Sequence, residues 1–147
     1  MKRTAFDTFS MSLAAGWAEL AEDGTYSDPT EGSRTLFGRR GGTGVLYVSL
    51  LAIDPDNPPS GDRRHLEALA HGWGRARGLA APLATSTEER EDGVLAFAEY
   101  KLAADYVAVW YLSCGEATLH ASYISAWKTR EEDRAARESM IRSLTFG

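Results

Sequence analysis

Three histidines, one cysteine and a glycine-rich run behind two arginines are the residues of this chain whose types could do chemistry. His65 and His71 are six residues apart, whereas two metal ligands on one helix face need a spacing of four. His120 falls on the polar side of a strand-like run, and no acid or thiol lies beside it in sequence. A Cys–His or Ser–His pair therefore has no support from spacing. Cys114 is the sole thiol, so an intramolecular disulfide and a four-thiolate zinc site are both excluded. A free cysteine is ordinarily a small buried apolar residue.

Arg39-Arg40-Gly41-Gly42-Thr43-Gly44 resembles a phosphate-binding loop at first sight. No Lys-Ser/Thr comes after the glycines, and no helical pattern opens behind them. They lead instead into Val45–Ile53, a strongly apolar strand pattern, so the glycines read as a hairpin connection. The two arginines keep anion binding open as the minority reading. No Gly-x-Ser-x-Gly elbow is present, and no Gly-x-Gly-x-x-Gly succeeds a strand. The acid pairs Glu88/Glu89 and Glu131/Glu132 sit in a turn and at a helix start, where local structure accounts for them. The expectation is a chain with no catalytic residue, no metal and no cofactor.

Composition narrows the partners. The chain has 147 residues, enough to bury a core without disulfide or metal. It is 44% hydrophobic and 25% charged, as soluble globular proteins are. Its net charge is −5. A nucleic-acid surface normally carries a basic excess, so none is expected, and anionic lipid is equally disfavoured. Asp7 and Ser10 interrupt the place where a signal peptide would need its apolar centre, and no run approaches the roughly 18 apolar residues of a membrane span. The chain therefore reads as cytoplasmic, without membrane insertion.

The elements that must position any site come from periodicity. Thr8–Leu13 alternates, with Phe9, Met11 and Leu13 on one face. Gly16 reads as a turn with Trp17 as an anchor, Ala18–Asp23 as a helical turn or strand, and Arg34–Arg39 as a strand. A loop is expected around Pro29 and Gly32, and Asp54–Gly61 is a Pro-rich loop. A helix comes next over Asp62–Arg77, with Leu66, Leu69, Ala70, Trp73 and Ala76 on one stripe. Asp62 or Ser60 can cap it, and Gly78 can close it in the left-handed conformation. Gly72 and Gly74, flanking Trp73, either allow close packing on a sheet or end the helix early. Leu79–Asp92 is a connector with a short strand around Leu83–Thr87 and a charged tip at Glu88–Asp92.

Val94–Leu102, Tyr106–Cys114 and Ala117–Trp127 are the densest apolar stretch. Their links are too short for a parallel crossover, so they form an antiparallel meander. Tyr106–Cys114 is apolar on both faces, as in a strand covered from both sides. Thr129 with Glu132 gives a capping box for a last helix over Thr129–Leu144. Ala136, Met140, Ile141 and Leu144 are its buried stripe, and Arg130, Arg134, Arg137 and Arg142 are expected in solvent. Phe146 can pin the end of the chain. The fold class is α+β, one domain over residues 1–147: an antiparallel sheet with a C-terminal three-strand meander, flanked by a mid-chain helix and a C-terminal helix.

This element order resembles the PsbP/DcrB-like superfamily. Phe9-Ser10-Met11-Ser12-Leu13-Ala14-Ala15-Gly16-Trp17 is similar to its opening "F-s-h-x-h-P-x-G-W" segment, with alanine standing in the proline place. Ile141-Arg142-Ser143-Leu144-Thr145-Phe146 is similar to its "I-x-x-S-L-x-F" ending. The resemblance spans nearly the whole chain and implies an α/β/α sandwich with no shared catalytic residues. Its members are mostly non-enzymatic binders: photosystem accessory proteins, a Ran-binding protein, bacterial lipoproteins, and cytoplasmic type VI secretion chaperones. The cytoplasmic protein-binding branch is the one this chain implies.

The functional expectation is thus a non-enzymatic protein-binding module of a bacterial cytoplasm, either a secretion-effector chaperone or an immunity-type protein that neutralises a toxin. Its partner would be that effector or toxin, or a second copy of the chain. The alternative is a small enzyme or ligand binder using His120 with Glu99 or Cys114. Most aromatics are expected in the core. Tyr47, Trp110, Tyr111 and Tyr123 are the candidates for lining a groove, because helices can cover a sheet face incompletely. If both helices fall on one face, Val107, Val109 and Tyr111 stay exposed on the other as the binding surface.

Overall fold

The computed structural model describes residues 3–6, 8–20, 31–51 and 61–146. Alternation, turn residues and caps divide them into β1 (Arg3–Ala5), β2 (Phe9–Ser12), β3 (Trp17–Leu20), β4 (Glu31–Arg39), β5 (Val45–Leu51), α1 (Arg63–Ala76), β6 (Ala84–Arg90), β7 (Gly93–Leu102), β8 (Asp105–Ser113), β9 (Thr118–Ala126), α2 (Arg134–Arg142) and β10 (Thr145–Phe146). The expected loop around Pro29, and the Pro-rich loop as far as Ser60, lie outside the described residues; Gly32 falls within β4.

The meander extends on both sides into a seven-stranded antiparallel sheet of order β3-β4-β5-β9-β8-β7-β6. The glycine run Gly41–Gly44 is the β4–β5 hairpin connection. β6 is longer than the short strand expected, because Glu88, Glu89 and Arg90 pair with Leu95, Val94 and Gly93. Only Glu91 and Asp92 are left for the turn. β2 does not join the large sheet. It forms a small second sheet with β1 and β10, where Phe146 pairs with Phe9.

The two helices take opposite faces, giving the α/β/α sandwich. Asp62 caps α1 by accepting from the Arg64 N–H at 3.2 Å. Gly78, at φ +70°, closes it: its N–H donates to the Arg75 carbonyl at 3.1 Å, and the Leu79 N–H to the Gly74 carbonyl at 2.9 Å. Leu66, Leu69, Ala70 and Trp73 pack on Ala96, Ala98 and Tyr100 of β7 and on Val107, Val109 and Tyr111 of β8. On the other face Met140, Ile141 and Leu144 close a core with Phe9, Met11, Phe37, Leu46, Trp110, Leu112 and Tyr123. Each large side chain buried there contributes about 1.5–3 kcal/mol over leaving it in water.

The last helix starts later than the capping box predicts. A single 3-10 turn covers Trp127–Thr129, and α2 begins only at Arg134. The Thr129 hydroxyl donates to the Ala126 carbonyl at 3.2 Å, and the Glu132 carboxylate is drawn off by Arg39 at 2.6 Å. A tertiary ion pair thus overrides the local cap.

The β7–β8 turn is strained. Ala103 holds φ +54°, a left-handed conformation that costs an L-residue about 1–2 kcal/mol. Glycine relieves that and adds about 0.5–1 kcal/mol of unfolded-chain freedom. Ala103→Gly is therefore expected to raise the unfolding free energy by roughly 0.5–1 kcal/mol, read as a higher urea midpoint at unchanged m. An unchanged or lower midpoint contradicts the strain.

Candidate functional site

With a helix on each face, the exposed-surface condition set for Val107, Val109 and Tyr111 is not met. Val107 and Val109 are fully buried and Tyr111 nearly so, all beneath α1. Trp110 and Tyr123 are buried on the α2 face, and Tyr47 is half-buried on the α1 face of β5. These six residues do not form one surface. His120 packs at a tilt of 41° against Tyr111, centroids 4.6 Å apart. It lies on the α1 face, while Glu99, paired with Ala108, lies on the α2 face. Register therefore separates the histidine from that carboxylate. Cys114 is exposed at the β8–β9 turn.

What the sheet does leave open is a groove on the α2 face. The C-terminal end of α2 reaches β6, where Arg142 meets Glu88 and the Leu144 carbonyl accepts from Arg90, and the groove opens beside that end. Leu95 and Phe97 of β7 and Trp110 of β8 form the floor, Ile141 one wall, and Ser86 and Glu88 of β6 the outer side. Phe97 is half-buried and tilts 36° against Trp110, ring centroids 5.4 Å apart. The groove holds about 140 Å³, close to the roughly 150 Å³ cavity that accepts benzene. Its rim is charged. Arg142 pairs with Glu88 at 3.2 Å, and Glu138 with Arg134 at 3.6 Å. Such a site can seat one large apolar side chain inside a polar border, the usual anatomy of an interface anchor.

A second polar cluster pins the start of α2 to the sheet. Arg39, at the end of β4, donates to Asp133 and to Glu132, both at 2.6 Å. The Tyr106 hydroxyl donates to Glu99, which Arg134 also approaches at 3.5 Å. Arg137 is not in solvent. It is 1% exposed, with its guanidinium 4.4 Å from the Tyr123 ring centre and 5.1 Å from that of Tyr106. Its two terminal nitrogens make no hydrogen bond among the described residues. The spacing signal for this existed: Arg137 stands three residues before Met140, four before Ile141 and seven before Leu144, on the buried stripe itself.

Burial, and then the Glu99 carboxylate, push the Tyr106 phenol up to about 12, with the nearby Arg137 charge pulling weakly the other way. Tyr106 therefore stays protonated at neutral pH and acts as a donor, not as a base. The folded form holds its proton above the unfolded value of about 10, so the stability linked to it is complete below pH 10 and is lost as pH rises through 12. Alkaline unfolding should steepen over that window and become shallower in Tyr106→Phe; equal slopes contradict the assignment.

Among the described residues, no group of three His, Cys, Asp or Glu side chains could hold a metal ion. Among them, too, no helix is long and apolar enough to cross a membrane. No protein-family model matches the sequence, and no curated protein matches it. Among solved structures, the chain is similar to the solution structure of cyanobacterial PsbP (CyanoP) from Synechocystis sp. PCC 6803, with a TM-score of 0.62 at 10% identity. That match covers 99% of this chain and 92% of the other. A crystal structure from Bacteroides thetaiotaomicron VPI-5482 matches at a TM-score of 0.47 and 14% identity, over 95% of this chain and 45% of the other. The chain has a PsbP-like fold, as the resemblance implied, and at these identities the likeness is of fold alone.

Proposed function

We propose that the chain is a non-enzymatic protein-binding module whose partner seats on the groove between α2 and the β6–β7 hairpin. The observation that carries this reading is Phe97. It is a large apolar ring, tilted against the buried Trp110 and half-open to solvent, in a groove of side-chain size bordered by charge. Buried aromatic anchors in such settings dominate the energetics of protein interfaces. The finer forms are a secretion-effector chaperone or an immunity-type protein acting in a bacterial cytoplasm. The net charge of −5 suits a basic effector or toxin, which it would steer towards the encounter.

The test is affinity capture from the encoding organism, read by mass spectrometry, with the native chain and Ser86→Trp side by side. Ser86 is exposed on the outer side of the groove, so tryptophan there fills the groove without disturbing the core. One protein enriched by the native chain and lost with Ser86→Trp is the expected result. Identical captures from both, or none from either, contradict the proposal.

A further inference from the structure

Beside this groove lies an open sheet edge. Among the described residues, β6 is the last strand of the seven, and β7 is its one neighbour in the sheet. The two-residue turn at Glu91-Asp92 closes on the pair Arg90↔Gly93, which a turn of that length makes hydrogen-bonded in both directions. Counting back by twos, Glu88 and Ser86 also bond to β7. The backbone groups of Thr85, Thr87 and Glu89 therefore point away from the sheet. A contact from α1 agrees with this: Arg63 donates to the Thr87 carbonyl at 3.4 Å. That bond is long and exposed. Thr85 and Glu89 have no backbone partner on this edge among the described residues.

Charge selects the occupant. The β6–β7 hairpin carries Glu88, Glu89, Glu91, Asp92 and Glu99 against Arg90 and Lys101. Arg90 is held within the fold by Asp92 at 3.1 Å and by the Leu144 carbonyl at 2.9 Å. Glu89 and Glu91 are exposed and have no ion-pair partner among the described residues. A second copy pairing its own β6 antiparallel about Thr87 would set Glu88 opposite Ser86 and Glu89 opposite Thr85, leaving the exposed acids without a counter-charge. A basic segment places a counter-charge beside them. Ser86 then decides reach. An added strand lies two strand spacings from β7, about 9.6 Å, so its side chain must pass over β6 and meet the Phe97 ring partway. The small serine leaves that path clear, and the longer side chains, Phe, Trp or Met, suit it.

We infer that the β6 edge takes an extended, basic segment of another protein as an eighth strand, with one large apolar side chain passing over Ser86 onto Phe97. The inference rests on the protein-binding reading above and supplies its mode: main-chain bonds to Thr85, Thr87 and Glu89 give affinity, and the groove and the acids give selectivity. Arg63 swings off the Thr87 carbonyl as the strand arrives. In the unbound chain it guards the edge, as charged side chains on edge strands commonly do.

The probe is an acetylated, amidated nine-residue peptide in which lysine alternates with valine, the central valine replaced by phenylalanine. It is titrated into the nitrogen-15-labelled chain and read by amide exchange and by the Trp110 indole resonance. The expected result is exchange slowed at least tenfold at Thr85, Thr87 and Glu89, with a shift of the Trp110 indole. Both effects should vanish with glutamate in place of lysine, with backbone N-methylation at alternate residues, and in Thr87→Pro. The Thr87 N–H faces outward, so proline there removes no bond to β7, and circular dichroism checks that the fold is kept. A Trp110 shift without protection, equally strong with the N-methylated peptide, overturns the added strand and leaves the groove as a binding site. Protection that appears in the chain alone and grows with its concentration overturns the inference in favour of self-pairing. No response to the lysine peptide overturns it too, while the Ser86→Trp capture decides the binding reading separately.

Discussion

Replacing Arg137 by alanine is expected to cost about 2–5 kcal/mol of stability, and replacing it by methionine close to nothing. The guanidinium is fully buried, and it forms no ion pair within 4.0 Å among the described residues. Two rings hold it, those of Tyr123 and Tyr106. A desolvated cation–π contact is worth about 2 kcal/mol, which sets it against a desolvation cost of several kcal/mol. The arginine is therefore most valuable as volume. Alanine leaves a void beside the Tyr123 and Tyr106 rings that the packed sheet cannot collapse to fill. Methionine fills it and removes the buried charge, as in other cores where ionic groups have been exchanged for apolar ones. Urea unfolding of both variants checks this. If methionine is as damaging as alanine, the charge and not the volume holds the site together.

The second large effect separates two glycines two residues apart in α1. Gly72→Ala should raise stability by about 1 kcal/mol, the ordinary helix-propensity gain, because a Cβ there meets nothing within 4 Å. Gly74→Ala should lower it by roughly 1–3 kcal/mol despite the same gain. A Cβ at Gly74 would lie 2.3 Å from Cε1 and 2.7 Å from Cζ of Tyr100. That ring cannot retreat. It is 1% exposed, and its hydroxyl donates to the Ala70 carbonyl at 2.6 Å on the same helix. Thermal unfolding of the two single variants is sufficient, since opposite signs are predicted. Two stabilising substitutions would mean that α1 does not sit on Tyr100 as closely as the structure has it.

The glycine pair also marks where sequence reasoning stops. The helix around Trp73 was legible, cap and stop included, because Asp62, the apolar stripe and Gly78 are local signals that agree. Which of the two glycines mattered was not legible, since that depends on Tyr100, some 26 residues on and in another element. The meander was legible for a similar reason: its alternation and its short links both specify antiparallel neighbours. The full length of β6 was not, because Glu88-Glu89-Arg90 reads as a polar tip until Gly93–Leu95 is available to pair with it. Local reading failed outright at the start of α2. Thr129 and Glu132 carry a good capping box, but Arg39, 93 residues away, takes the glutamate.

The site was less legible than the fold. The aromatic and apolar residues singled out on the sheet faces are real sheet-face residues, but five of the six are buried, because α1 and α2 cover opposite faces. Nothing local marks Phe97, although it stands in the odd, partly apolar register of β7. Its significance comes from the groove that the C-terminal end of α2, at Glu138, Ile141 and Arg142, forms with Ser86 and Glu88 of β6.

The most direct test of the binding account is hydrogen–deuterium exchange of the native chain with and without the protein it captures. Protection on binding should concentrate in β6, in the Glu91-Asp92 turn and in the β6-facing side of α2, at Glu138 and Arg142. Protection that falls instead on β3, β4 and β5, with β6 exchanging as it does in the free chain, would contradict the account.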